Sequence, residues 1–312
     1  MKHVIFIVGP TASGKTEISL HVAKQLCGDI ISSDSMQIYK DLTIGTAKVN
    51  YAAYPEIPHH MIDIIPPAEE FSVYQFRESA LACIKQIHDK GGLPFIVGGS
   101  GLYIKALTDG IADHPGCDNN IRDRLHCEIK DKGISVVYKR LVELDPGAAE
   151  GINENDIRRI VRALEIYEQS GMTPSEWKKK TISLDTLGYK FLLVGIMRDR
   201  NELYARVNER VDAMMQAGLL EEVKNLNGKH LSKTTRQAVG YKELLAHLQG
   251  EISLQDAISL IKQNTRHLVK KQLTWFRKEG RIAWFTIGQN SNEEMVSAEL
   301  VNHIKDWIKN NK

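Results

Sequence analysis

The chain is short of everything that would place it in a specialised class. Its 312 residues include four cysteines, Cys27, Cys83, Cys117 and Cys127, far apart and without a CxxC pair. That spacing argues against a zinc site and against a disulfide framework, and favours reduced thiols in a cytosolic protein. No apolar stretch approaches the length needed to span a bilayer. The opening run, Met1 to Val8, ends at Gly9-Pro10, too short for a signal-peptide core and without a cleavage site. Charge of one sign is also lacking. A formal net charge of +2 does not announce a nucleic-acid partner, so any such argument has to rest on local clustering. There are no repeats and no low-complexity tracts. What remains, 42% hydrophobic and 26% charged residues, is an ordinary globular composition, enough for one domain with an insertion or for two unequal domains.

The pattern along the chain alternates. Residues 3–8 (HVIFIV) read as a buried strand. Residues 15–26 follow with Ile18, Val22 and Leu26 on one helical face. Asp29 to Ser33 reads as a second strand, Ser72 with Gln75 as a capping box that opens a helix, and Phe95 to Val97 as a third strand running into Gly98-Gly99. This order predicts an α/β fold with a parallel sheet flanked by helices, and the Gly9–Thr16 match to GxxxxGK[ST] makes the expected core P-loop NTPase-like. After Gly110 the rhythm changes: 113–188 is polar and helical in pattern. The expected organisation is a catalytic core of 1–112 and 189–312 with a helical insertion at 113–188. Within the core, the strand pattern returns at Phe191 to Ile196. Helices are expected near 200–217, 219–227, 240–249 and 254–278, then a short strand at Ile282 to Phe285 and a last helix.

Gly9-Pro10-Thr11-Ala12-Ser13-Gly14-Lys15-Thr16 matches GxxxxGK[ST] between a predicted strand and a predicted helix, the context that makes the motif credible. Its amide hydrogens and the helix N-terminus suit a polyphosphate, Lys15 adds a cation, and the Thr16 hydroxyl suits Mg²⁺. No acid follows the third strand. One follows the second instead, Asp34, at the carboxyl edge of the sheet beside the loop. Asp34 suits a metal ligand, a general base or a turn cap before Ser35.

The residues after Asp34 narrow the choice. Asp34-Ser35-Met36-Gln37-Ile38-Tyr39-Lys40, together with the loop, resembles the tRNA dimethylallyltransferase (isopentenyl-diphosphate:tRNA transferase) family. So do, in order, Gly45-Thr46-Ala47-Lys48, Pro58-His59-His60, Gly98-Gly99-Ser100-Gly101-Leu102-Tyr103, Asn155-Asp156-Ile157-Arg158-Arg159 with Arg162-Ala163-Leu164-Glu165, Gly240-Tyr241-Lys242-Glu243, and Lys271-Gln272-Leu273-Thr274-Trp275. Ser100 stands where the family usually has Thr, which keeps the hydroxyl, and Val49 where Pro is common. No zinc-finger pattern follows, so the resemblance is to the bacterial form.

The resemblance implies transfer of a dimethylallyl group from dimethylallyl diphosphate to the exocyclic amine of adenosine 37 in tRNAs that read codons beginning with U. Mg²⁺ would be held at Thr16, and the expected enzyme is a cytoplasmic monomer without a membrane. Asp34, Ser100 and Lys15 would be catalytic. Arg200 would join Gly9 to Thr16 at the diphosphate; its other reading is a solvated charge at a helix start. The anticodon stem-loop would meet Asp34, Ser35, Met36, Gln37 and Ser100, with Gln37 suited to an adenine edge. Arg122, Arg158, Arg159, Ile160, Val161 and Arg162 in the insertion would also contact it, although these arginines could equally pair with Glu154 and Glu165. Lys262, Arg266 and Lys270 repeat at helical spacing in a segment, 258–281, with seven Lys/Arg against one acid. They form either an RNA stripe or a solvated face, beside a core face of Ile258, Ile261, Leu268, Val269 and Phe276. His59-His60 favour a structural or channel use over a metal, and Trp275-Phe276 a core position. Two further chemistries share the phosphate loop: a small-molecule kinase, and a prenyltransferase acting on free adenine nucleotide.

Overall fold

The computed structural model describes residues 2–288 and 291–311. Its centre is a six-stranded sheet, every pairing parallel, in the order β3-β2-β4-β1-β5-β6. The strands are β1 (Lys2–Val8), β2 (Gly28–Ser32), β3 (His59–His60), β4 (Leu93–Gly98), β5 (Tyr189–Met197) and β6 (Ile282–Thr286). Alternation along β1 builds both layers of the core. Ile5 and Ile7 face α1 (Lys15–Gln25) and the last helix, while Val4, Phe6 and Val8 face α2 (Val73–Asp89) and α3 (Gly101–Thr108). All five side chains are fully buried, which is why residues 4–8 are apolar throughout rather than alternating with polar residues. The α2 capping box is present: Ser72 Oγ accepts from Gln75 N at 3.1 Å and Gln75 Oε1 from Ser72 N at 2.8 Å.

Two compact units divide the chain, Met1–Thr108 with Leu184–Lys312, and Asp109–Ser183. The second is helical: α4 (Asn119–Lys132), α5 (Ile134–Leu144), α6 (Pro146–Glu150), α7 (Ile157–Ser170) and α8 (Pro174–Lys179) close over Leu125, Val137, Leu141, Ile160 and Leu164. Its limits fall four to five residues earlier than 113–188. Leu184 is fully buried and its amide bonds Thr108 O at 3.0 Å, so the chain rejoins the core through a turn before β5 begins. A turn carries no periodicity from which that return could be read.

The remaining helices are α9 (Arg200–Gln216), α10 (Leu219–Leu226), α11 (Lys233–Arg236), α12 (Tyr241–Leu248), α13 (Leu254–Phe276) and α14 (Glu293–Asn310). They lie within two residues of the expected segments, except α11, a single turn too short to leave a pattern. The edge strand β3, two residues long, also gave no signal. Helix α13 buries Ala257, Ile261, Val269, Leu273 and Phe276. Leu268, expected in that core, is 39% exposed. No described helix is long and apolar enough to cross a membrane.

Candidate active site

The loop from Gly9 to Thr16 leaves the carboxyl end of β1 and enters α1. A side chain at Gly9 would place its Cβ 2.6 Å from the Ile196 carbonyl oxygen, and Gly14 caps the helix at φ +90°, so both glycines are required sterically. Lys15 folds back over its own loop, donating from Nζ to Pro10 O at 3.1 Å. Burial, reinforced by the charge of Arg210, pulls its ammonium pKa down to about 8, against the opposing pull of Asp34 and Glu17. Ser13 Oγ is buried with no hydrogen-bond partner among the described residues.

Three arginines reach the loop from β5–α9. Arg198 Nε donates to Ser13 O (3.1 Å), Arg206 Nε to Ala12 O (3.0 Å), and Arg210 Nη1 to Thr11 Oγ1 (3.4 Å). Arg198 is already neutralised by Glu202 and Glu293. Arg206 approaches Glu293 at 3.8 Å. Arg210 has no carboxylate in ion-pair range among the described residues. Burial lowers its pKa, Asp34 and Glu17 oppose that, and a guanidinium stays charged regardless. Arg200 is elsewhere: it is exposed, donates to Tyr204 Oη at 3.0 Å and lies over that ring at 5.1 Å, outside the cavity lining. Two residues separate it from Arg198, but on a helix start two residues turn a side chain to another face.

Asp34 lies just past the end of β2, after Ser33. Its Oδ1 accepts from Met36 N at 2.8 Å, closing a turn, while Oδ2 has no partner among the described residues. The turn-cap role and an available carboxylate oxygen therefore coexist. Ser100 Oγ accepts from Ser35 N at 3.2 Å, and its carbonyl starts α3. The Gly98–Gly101 turn has no room for a side chain at any of its three glycines. A Cβ would meet Ser33 O at 2.5 Å from Gly98, Gln272 Nε2 at 2.4 Å from Gly99, and the Trp275 ring at 2.3 Å from Gly101. Gln272 ties the two loops together, accepting from Thr11 N (2.8 Å) and donating to Gly99 O (3.1 Å).

These groups surround one cavity of about 610 Å³ at the carboxyl edge of the sheet, where open α/β folds bind ligands. Thr11, Lys15, Thr16, Asp34 and Arg210 form its polar end. Ser35, Met36, Gln37 and Ser100 line it beside them, and Leu102, Met214, Leu219, Ile261, Leu268 and Trp275 give it an apolar wall. Trp275 thus serves both as packing for Gly101 and as cavity wall. His59 lines the cavity too; its Nδ1 is held on Ile57 O (2.7 Å), and His60 pairs with Asp29 (2.9 Å). Among the described residues no cluster of three His, Cys, Asp or Glu could hold a metal. A cation here would rely on Thr16, a carboxylate and the oxygens of a ligand.

The remaining candidates divide. On α13, Lys262 pairs with Asp212 (2.7 Å) and Arg266 donates to Asn208 (2.6 Å), while Lys270 is exposed with no partner among the described residues. In the helical unit, Arg122 grips the fully buried Glu165 with two bonds of 2.9 Å, and Arg162 bonds Glu165 (2.7 Å), Pro115 O (2.7 Å) and Gly116 O (3.1 Å). Burial alone would raise the Glu165 carboxyl pKa, but these donors hold it below its ordinary value. Arg159 stays near Asp156 (3.8 Å), and Arg158 is exposed with no partner among the described residues. Ile160 and Val161 are corrections: their side chains are buried in the core of the unit, 0% and 3% exposed, because they sit on the apolar face of α7, and cannot meet RNA. The sequence reading assigned no role to Arg206, Arg210, Gln272, Glu222 or Tyr241. Gln272 and Tyr241 did stand in segments that resemble the family, and the i, i+4 spacing of Arg206 and Arg210 puts both on one helix face; Glu222 carried no signal.

The IPP transferase family matches residues 37–279, and an isopentenyl transferase family matches residues 2–54. A tRNA dimethylallyltransferase of Halothermothrix orenii is 44% identical over 98% of this chain and 93% of its own length. One from Carboxydothermus hydrogenoformans is 45% identical over 94% of each. Among solved structures, the tRNA isopentenylpyrophosphate transferase of Bacillus halodurans superposes with a TM-score of 0.74 at 37% identity, covering 99% of this chain and 98% of that one. A eukaryotic dimethylallyltransferase described as acting on tRNA superposes at 0.83 with 29% identity, covering 100% and 80%.

Proposed function

The chain belongs to the tRNA dimethylallyltransferase (IPP transferase) family, and from that premise we propose how its own residues carry the reaction. It is a prenyltransferase that modifies tRNA. The donor is dimethylallyl diphosphate, and the acceptor is the exocyclic amine of adenosine 37 beside the anticodon, in cytoplasmic tRNAs that read codons beginning with U. The observation that carries the assignment of roles is the meeting of the phosphate loop, Arg210 and the free oxygen of Asp34 in one cavity with an apolar opposite wall.

The C–O bond of the donor breaks toward an allylic cation, and charge gathers on the departing pyrophosphate. The loop amides, Lys15 and Arg210 face that charge. The apolar wall shelters the five-carbon group from water. The adenine amine forms the new C–N bond and then holds a surplus proton, which Asp34 Oδ2 accepts. A flipped base costs a few kcal/mol of unstacking, which contacts elsewhere on the tRNA must offset. Mg²⁺ fits the donor set at Thr16 only if a carboxylate and oxygens from the diphosphate and water complete its shell. When bound, it would add to the neutralisation of the leaving group.

The test is incubation of unmodified tRNA with protein, Mg²⁺ and dimethylallyl diphosphate, followed by mass spectrometry of the nucleosides. One prenyl group on one adenosine next to the anticodon is expected. Prenylation of AMP with tRNA untouched would reassign the acceptor, and phosphoryl transfer from ATP without prenylation would reassign the reaction.

A further inference from the structure

The loop Thr43–Lys48 has no regular secondary structure, yet side chains from elsewhere in the fold fasten it at both ends. The Glu222 carboxylate, on α10, accepts from three consecutive amides: Thr43 N (3.0 Å) and Ile44 N (2.7 Å) on one oxygen, Gly45 N (3.1 Å) on the other. The second oxygen also accepts from Tyr241 Oη, at the start of α12, at 2.6 Å. Burial and the neighbouring Glu222 charge push the Tyr241 phenol far above its ordinary pKa, so it remains a donor. Gly45 lies against the Tyr241 ring, where a Cβ would stand 2.6 Å away. At the far end, Lys48 is almost wholly buried and donates to Tyr39 O (2.8 Å) and Asp63 Oδ1 (2.6 Å). Asp41, Ala47, Met61 and Asp63 all hold positive φ in this neighbourhood, a strained backbone that persists only where the surroundings over-determine it.

The clamp ends at Gln37. Its backbone carbonyl accepts from Asp63 N (3.1 Å), and its side chain spans Ser32 Oγ, which donates to Oε1 (3.1 Å), and Thr46 O, which accepts from Nε2 (3.4 Å). A serine hydroxyl suits either end of an amide, but a carbonyl oxygen only accepts. The Thr46 carbonyl therefore decides which end of Gln37 is NH₂. One N–H and one lone pair are left over on a side chain that lines the cavity, the two groups that a bidentate reading of adenine requires.

We propose that Glu222 is a positioning residue for acceptor recognition: through the amides of Thr43, Ile44 and Gly45 it places the Thr46 carbonyl, and so sets the Gln37 amide in the orientation that reads the acceptor base. This rests on the tRNA-prenylating function proposed above. Wild-type protein is therefore assayed first, and its failure to prenylate tRNA would count against that function rather than against the clamp.

Glu222→Gln keeps the shape but, whichever way it turns, presents an NH₂ to at least one backbone amide that can only donate. The expected result is a KM for tRNA raised roughly tenfold, the equivalent of one well-placed hydrogen bond, with kcat and the KM for dimethylallyl diphosphate changed by less than about twofold. In a Gln37→Ala background the same substitution should add less than about twofold, since the residue it acts through is gone. Tyr241→Phe removes one of the four bonds and should show the same split in smaller degree, which keeps the test available if Glu222→Gln fails to fold. Equal losses on donor and acceptor sides, or full additivity with Gln37→Ala, would overturn the proposal and leave Glu222 as a general support of the fold.

Discussion

Asp34 divides its two oxygens between structure and chemistry. One closes the turn onto Met36 N, and the other faces the cavity. Asp34→Asn keeps the turn acceptor and removes only the base, a cleaner change than Asp34→Ala. Single-turnover rates should fall about 10²- to 10⁴-fold while tRNA affinity stays within a few-fold. A near-full rate would remove Asp34 from the proton path. Lys15 offers a second test at this scale. Its pKa of about 8 in the free site lies below the ordinary lysine value, so above pH 8 much of it is neutral. A bound pyrophosphate favours the charged form and restores the pKa. Binding should therefore take up protons near about pH 8.5, and affinity should weaken as pH rises through that value. Calorimetry in buffers of different ionisation enthalpy reads the uptake directly; none at that pH would place Lys15 away from the pyrophosphate. The sign for folding is separate. A lysine depressed in the folded state disfavours folding below its folded pKa, and that penalty is relieved as pH rises from about 8 toward the unfolded value of 10.5.

At the scale of elements, a stripe of cations on a helix is not a uniform surface. Lys262 and Arg266 are held by Asp212 and Asn208, whereas Lys270 is exposed and unpartnered among the described residues. Lys270→Ala should weaken tRNA binding and reduce the salt slope by about one phosphate, roughly 0.9 in the log–log plot. An unchanged slope would leave α13 outside the RNA surface. Helix α7 has the same division. Arg158 is exposed, but Arg162, with Arg122 from α4, neutralises the buried Glu165. Arg122→Ala should lower the stability of the helical unit by about 1–3 kcal/mol, since it strips donors from a buried carboxylate. Thermal denaturation checks this, and an unchanged melting temperature would argue that Arg162 alone satisfies Glu165.

At the scale of the whole molecule, the helical unit leaves the core at Thr108 and returns at Leu184, residues joined by a 3.0 Å backbone bond. A short turn can replace 109–183 without stretching the sheet. The shortened chain should unfold cooperatively and keep pyrophosphate affinity while losing most of its tRNA affinity. Retained tRNA affinity would place the RNA surface wholly on the core.

The sequence by itself determined the local grammar of this protein. A phosphate loop needs its glycines at set spacing, a doubly covered parallel strand must be apolar throughout, and a long helix declares its buried face every three to four residues. Those constraints act between residues close in the chain, so β1, α1, α13, the loop and Asp34 were legible, and the family resemblance extended the list to Ser100 and Gln37. Tertiary structure alone decided which arginine meets the loop and which charges are already taken. Arg198, Arg206 and Arg210 lie more than 180 residues from the carbonyls and hydroxyl they bond, and Glu222 more than 170 from the amides that donate to it. A side chain's charge is written in the sequence, but whether it is free depends on which other groups the fold brings within about 3 Å, and that distance is set by packing of the whole chain.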